Sequence, residues 1–219
     1  MMKLDIFIAA VLFTFSSVSF AGGAKVEVSN QFSQAYTQAF EGNLKSLKKL
    51  LSKKIDINQT NENGQTMLMA AASNGHTDVL NFLIDKKANL NTKDSEQKTA
   101  LYYAIDNDQT EAAKILISNG AELANLNQWN DTALILATSV NNGELMQLLL
   151  KKQPSLINIA NKNGKTPLLE AARHGSAKTI KLLIDAGADL KAKNDDGKTA
   201  LEIANKAQNE AAIKLLSKK

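Results

Sequence analysis

A Thr opens the same short phrase five times in this chain: Thr66-Met-Leu-Met-Ala-Ala, Thr99-Ala-Leu-Tyr-Tyr-Ala, Thr132-Ala-Leu-Ile-Leu-Ala, Thr166-Pro-Leu-Leu-Glu-Ala and Thr199-Ala-Leu-Glu-Ile-Ala. The intervals are 33, 33, 34 and 33 residues. A period in this range belongs to stacked supersecondary units, because one such unit cannot bury its own apolar faces and its neighbours must do so. The repeat therefore points to an all-α solenoid before any other feature is weighed. It also favours a surface that meets a partner over a catalytic pocket.

Within each period the local signals agree. Asn63-Gly64 is a turn signal. Thr66 is placed to cap a helix with its side-chain oxygen, and Pro167 after Thr166 occupies the favoured first helical position. Gly75 is placed to end the first helix. Val79, Phe82 and Leu83 then recur at helical spacing, which predicts the buried stripe of a second helix. Leu145, Leu148 and Leu149 repeat that stripe, as do Ile180, Leu183 and Ile184 with a slight shift. Ala71, Ala104, Ala137, Ala171 and Ala204 are small enough to let neighbouring first helices approach closely.

The phrase from Asn163 to Gly175, with Ile180-Lys-Leu-Leu-Ile-Asp-Ala-Gly187 after it, resembles the ankyrin repeat. The resemblance covers about residues 31 to 219. It implies a curved stack of β-hairpin tips, antiparallel helix pairs and return loops, with a concave side that binds other proteins. Six repeats are expected, the first and last being caps. Gln31, Gln34, Gln38 and Glu41 make the outer side of the first unit polar, and Gln208 replaces the helix-ending Gly in the last. The family's usual His is replaced by Met69, Tyr102, Ile135, Leu169 and Glu202, so apolar contact is expected in place of a Thr–His bond. Gln97 and Asn130 stand where the turn Gly belongs, which predicts distorted tips there.

The amino terminus reads differently. Lys3 and the free amine precede the apolar run Ile6 to Phe15, and Ser19-Phe20-Ala21 places small residues at a cleavage site. This predicts a signal peptide over 1–21, cut after Ala21, a linker over 22–30 and the repeat domain over 31–219. The run is short for a membrane span, so no stable membrane insertion is expected after cleavage; an uncleaved anchor is the second reading. With no Cys, neither a disulfide framework nor a lipoprotein anchor is open to the chain. Periplasmic localisation in a bacterium is the expectation.

Chemistry is sparse. The two His, His76 and His174, are far apart in sequence and lie in no metal-binding motif. His76 is expected to make a structural hydrogen bond. Gly164-Lys165-Thr166 and Gly197-Lys198-Thr199 lack the upstream Gly of a phosphate loop. Asp195-Asp196 reads as a solvated acidic tip. The formal charge of +4 arises from Lys interleaved with Asp and Glu, which does not make a nucleic-acid footprint. No catalytic residue, cofactor or metal is expected.

The resemblance implies that the tips and the exposed side of the first helices form one binding strip. Its residues here are Ser95, Glu96, Lys98, Asp106 and Asn107, then Gln128, Trp129, Asp131, Ser139 and Val140, then Lys162, Asn163, Lys165, Arg173 and His174. Tyr102 and Tyr103 share a helix with Asp106; Tyr103 is counted in the strip, and one of the pair is expected to pack between repeats with a wetted hydroxyl. Trp129 is the only Trp, and it falls on a tip where polar residues are usual. Two roles are open to it: an interface anchor, or a plug folded over the Asn130 turn.

These features predict a non-enzymatic interaction module, monomeric before complex formation. The expected partner is a periplasmic or envelope enzyme. Inhibition of a peptidoglycan hydrolase, as self-protection or immunity, is the leading expectation. Support of a periplasmic enzyme such as catalase, and a secreted effector acting on host proteins, are the alternatives.

Overall fold

The computed structural model describes residues 23–52 and 55–217, and the expected signal peptide lies outside them. Twelve α-helices form six antiparallel pairs: α1 (Gly23–Phe40) with α2 (Leu44–Leu51), α3 (Met67–Ser73) with α4 (Thr77–Asp85), α5 (Ala100–Asp106) with α6 (Thr110–Ser118), α7 (Ala133–Ser139) with α8 (Gly143–Lys152), α9 (Pro167–His174) with α10 (Ala177–Asp185), and α11 (Ala200–Ala207) with α12 (Glu210–Leu216). The first helices stack in order from α1 through α11, and the second helices from α4 through α12 follow them.

The local signals act as read. Each repeat Thr accepts a hydrogen bond from the backbone N–H three residues on, at Met69, Tyr102, Ile135, Leu169 and Glu202. Such a cap satisfies one of the amides that a helix start leaves unpaired. Ala71, Ala104, Ala137, Ala171 and Ala204 are buried where the first helices meet. Met69, Tyr102, Ile135 and Leu169, standing in the family His position, are buried. Glu202 closes a reciprocal cap with Thr199, and the Met69 sulfur does the same with the Thr66 N–H at 3.4 Å. His76 makes the expected structural bond, its Nε2 lying 2.9 Å from the Phe40 carbonyl.

Three details depart from expectation. Residues 23–30, read as a linker, are the start of α1. The tips carry no strand among the described residues; Thr60 and Thr66 form one isolated antiparallel bridge. Hydrogen-bonded turns do the work of the expected β-hairpins. The inserted residue of the fourth repeat is absorbed by a 3-10 turn over Pro154–Asn158. Among the described residues no helix is long and apolar enough to cross a membrane.

Candidate partner-binding surface

Each tip is built on an Asn or Asp five residues before the repeat Thr, a recurrence that the sequence reading passed over. Asn61 Oδ1 accepts from the amides of Asn63 and Gln65. Asp94 Oδ1 accepts from Glu96 and Lys98, Asn127 Oδ1 from Trp129 and Asp131, and Asn161 Oδ1 from Asn163 and Lys165. Asn194 Oδ1 accepts from Lys198. A side chain that bonds its own backbone two and four residues on fixes a turn without a strand. The remaining signal was legible: Asn or Asp recurs at 61, 94, 127, 161 and 194.

The substituted turn glycines are a partial correction. Gln97 and Asn130 adopt φ 61° and 59°, close to the 76°, 68° and 70° of Gly64, Gly164 and Gly197. The left-handed turn is thus kept, at a steric cost that glycine would not incur. The Gln97 tip is undistorted and closes from Asp94 N–H to the Lys98 carbonyl at 3.0 Å, as its neighbours do. Only the Asn130 tip departs. There the closing bond comes from Leu126 N–H to the Asp131 carbonyl, one residue early. Leu126 is 1% exposed, and drawing that side chain into the core displaces the closing register.

The predicted strip residues are exposed or half-buried, and none is buried. Several are drawn together. Lys98 Nζ pairs with Glu96 at 2.7 Å and lies 5.1 Å over the Tyr102 ring and 5.9 Å over that of Tyr103. Burial works against the Lys98 charge, but the Glu96 hydrogen bond and the charges of Tyr102, Glu96 and Asp106 carry its pKa above the ordinary value. Tyr102 is 8% exposed and meets Tyr103 edge-on at 5.9 Å. The Tyr103 hydroxyl is not simply wetted: it donates to Asp94 Oδ2 at 2.5 Å and accepts from Gln65 Nε2 at 3.1 Å. Burial and the Asp94 hydrogen bond push its pKa well above the usual phenol range. Tyr36 donates to Gln65 Oε1 at 3.0 Å, so the chain Tyr36–Gln65–Tyr103–Asp94 crosses three repeats.

The tips of the fourth and fifth repeats share a second group. Asp131 accepts from Asn127 Nδ2 and Asn161 Nδ2, each at 2.7 Å, and Lys162 N–H donates to the Trp129 carbonyl at 2.8 Å. Trp129 is 43% exposed, which suits the anchor better than the plug. Gln128 and Asn163 flank it on exposed tip positions. Ser95 N–H donates to Asn63, and Asn107 Nδ2 to Ser73 Oγ, linking the second and third repeats. Val140 packs against the core at the end of α7, beside exposed Ser139. Lys165 pairs with Glu170 at 3.3 Å. Asp106, Arg173 and His174 lie at the far ends of their helices, and the His174 carbonyl accepts from Asn141 Nδ2.

The strip is a surface and not a pocket. One cleft, of about 320 Å³, lies at the second-repeat tip and is lined by Phe32, Ser33 and residues 59–63; another, of about 510 Å³, lies at the return loops and is lined by Ile117, residues 120–125, Lys152 and Gln153. Among the described residues no group of three or more His, Asp or Glu is placed to hold a metal ion.

The family described as ankyrin repeats (3 copies) matches residues 35–127 and 134–219. Among solved structures, a chain in the complex of a predatory endopeptidase from Bdellovibrio bacteriovorus with an immunity protein is 41% identical. The match spans 84% of this chain and 97% of that one, with a TM-score of 0.79. An ankyrin repeat domain from Acinetobacter baumannii AYE is 28% identical over 84% of this chain and 96% of that one, with a TM-score of 0.74. No curated protein matches the chain.

Proposed function

The chain belongs to the ankyrin-repeat family, and from that premise we propose that it is a non-catalytic scaffold that binds and blocks a peptidoglycan-cutting endopeptidase. The observation that carries this reading is the 41% identity over nearly the whole of a chain solved in complex with an endopeptidase. That chain is the immunity protein of the complex and not its enzyme. Physical features support the same role. A stack that buries its apolar residues between repeats leaves an exposed strip of charge, amide and aromatic groups. Trp and Tyr there offer large contact area at small entropic cost. Protection of the producing cell requires the inhibitor to share a compartment with the enzyme. We place the protein in the periplasm, exported by residues 1–21 and cut after Ala21, and monomeric until it meets its partner.

The test is capture from the native envelope by the mature chain, followed by assay of the captured peptidase on purified peptidoglycan. Inhibition that saturates at one binding stoichiometry is expected. Capture of a peptidase whose activity is unchanged or raised would overturn the inhibitory role.

A further inference from the structure

Neighbouring repeats are tied together at the same places along the stack, and one joint lacks two of these ties. At the tips, a backbone rung runs from Ser95 N–H to the Asn63 carbonyl at 2.9 Å, from Lys162 N–H to Trp129 at 2.8 Å, and from Asp195 N–H to Asn163 at 3.4 Å. The equivalent rung between the third and fourth repeats would join Gln128 N–H to the Glu96 carbonyl. It is absent, because the tip register has shifted with Leu126.

The return loops tell the same story. Asn58 Oδ1 accepts from Asn89 N–H, Asn91 Oδ1 from Glu122 N–H, and Asn158 Oδ1 from Asp189 N–H, at 2.8 to 2.9 Å. The equivalent position in the remaining loop is Ala124, which has no side-chain oxygen to offer. In place of a tie there is the cleft of about 510 Å³ between residues 120–125 and Lys152-Gln153. The opposite end of this joint is held. Asn142 Nδ2 donates to Asp108 Oδ1 at 3.0 Å and to Thr110 Oγ1 at 2.7 Å, and Lys114 pairs with Glu144.

We infer that the stack carries one hinge, at the joint between the third and fourth repeats, pinned at its helix turns, held at its tips by the 3.3 Å bond from Thr99 N–H to the Leu126 carbonyl alone, and without the Asn tie at its return loops. In a quasi-one-dimensional array each interface contributes separately, so the joint with the fewest ties opens first. Opening changes the angle between the 94–98 and 127–131 tips, and so the curvature of the strip. If the strip binds an endopeptidase as proposed above, the hinge sets how closely the two halves close on it.

The natural chain has no Cys, so paired labels are unambiguous. Glu62, Gln128 and Asp195 are exposed and occupy the same place on their tips, two repeats apart. Spin-label distances for Glu62→Cys with Gln128→Cys cross the hinge; those for Gln128→Cys with Asp195→Cys do not. The first distribution is expected to be roughly twice as wide as the second, as local opening requires. Equal widths would overturn the hinge. Amide exchange on the unlabelled chain gives a second reading. The Thr99 amide, whose 3.3 Å bond to Leu126 crosses this joint, is expected to exchange about tenfold faster than the Ser95 and Lys162 amides. Equal protection would also overturn it. Both measurements use the free protein, so the hinge and the inhibitory role fail separately.

Discussion

The tips at residues 94–98 and 127–131 begin from the same handicap. Each lacks the turn glycine, and each still reaches the left-handed region, at Gln97 and Asn130. Yet the first keeps its closing bond in register and its rung to the preceding tip, while the second closes one residue early, from Leu126, and lacks the rung. The missing glycine is therefore not the cause. The difference lies one residue before the tip, where Lys93 is half-buried and Leu126 is fully buried. An inward apolar side chain gains burial at the expense of tip register, and the register is what couples one repeat to the next.

The largest expected effect tests whether the contrast stops at the tips. Leu101 and Leu134 are fully buried at equivalent places in α5 and α7. Leu101→Ala and Leu134→Ala should each cost about 2–5 kcal/mol by denaturant unfolding. Near-equal losses would confine the difference to the tips; a much smaller loss for Leu134→Ala would extend it into the core. At the surface, Trp129→Ala should weaken partner binding by roughly 2 kcal/mol or more, as interface anchors do. Its melting temperature should hold, since the side chain is 43% exposed; a large drop would mean the side chain is structural.

Smaller effects separate the two Asx residues. Asp94→Ala removes the acceptor for two amides and for Tyr103, and should cost about 2 kcal/mol. Asn127→Ala also frees two amides but sits in the already shifted tip, and should cost about 1 kcal/mol. Reversal of that order in calorimetry would contradict the assignment of the regular tip as the tighter one. Alkaline titration sharpens the same contrast. Because the folded-state pKa of Tyr103 is raised, its contribution is whole below the unfolded phenol value of about 10 and is lost as pH rises beyond it. Tyr103→Phe should flatten that part of the stability curve. The smallest effects are expected from Gln97→Gly and Asn130→Gly, each stabilising by up to about 1 kcal/mol. The gain should be larger at Gln97, since Asn tolerates the left-handed region better.

Much of the architecture was legible because its determinants are local. The Thr caps, the apolar stripes and the small Ala positions each act within a turn or two of helix, and each recurs in register. The polar character of the strip was legible too, from the tip positions of Glu96, Lys98 and Lys162. Two things were not. The Tyr36–Gln65–Tyr103–Asp94 chain joins residues from three repeats, and nothing local marks Gln65 as its centre. The residues 23–30 look like a linker because their polar and apolar positions show no strong stripe, yet they extend α1.

The sequence by itself determined the repeat length, the helix pairs and the faces they bury, since those depend on side chains a few positions apart. Only the tertiary structure decided how strongly each repeat holds the next. That coupling runs through pairs 27 to 38 residues apart, such as Asn91 with Glu122 and Lys162 with Trp129, and through the unmatched Ala124 and Leu126. A substitution there changes no helix and leaves the period intact. It removes a bond whose other end becomes visible only when the repeats are stacked.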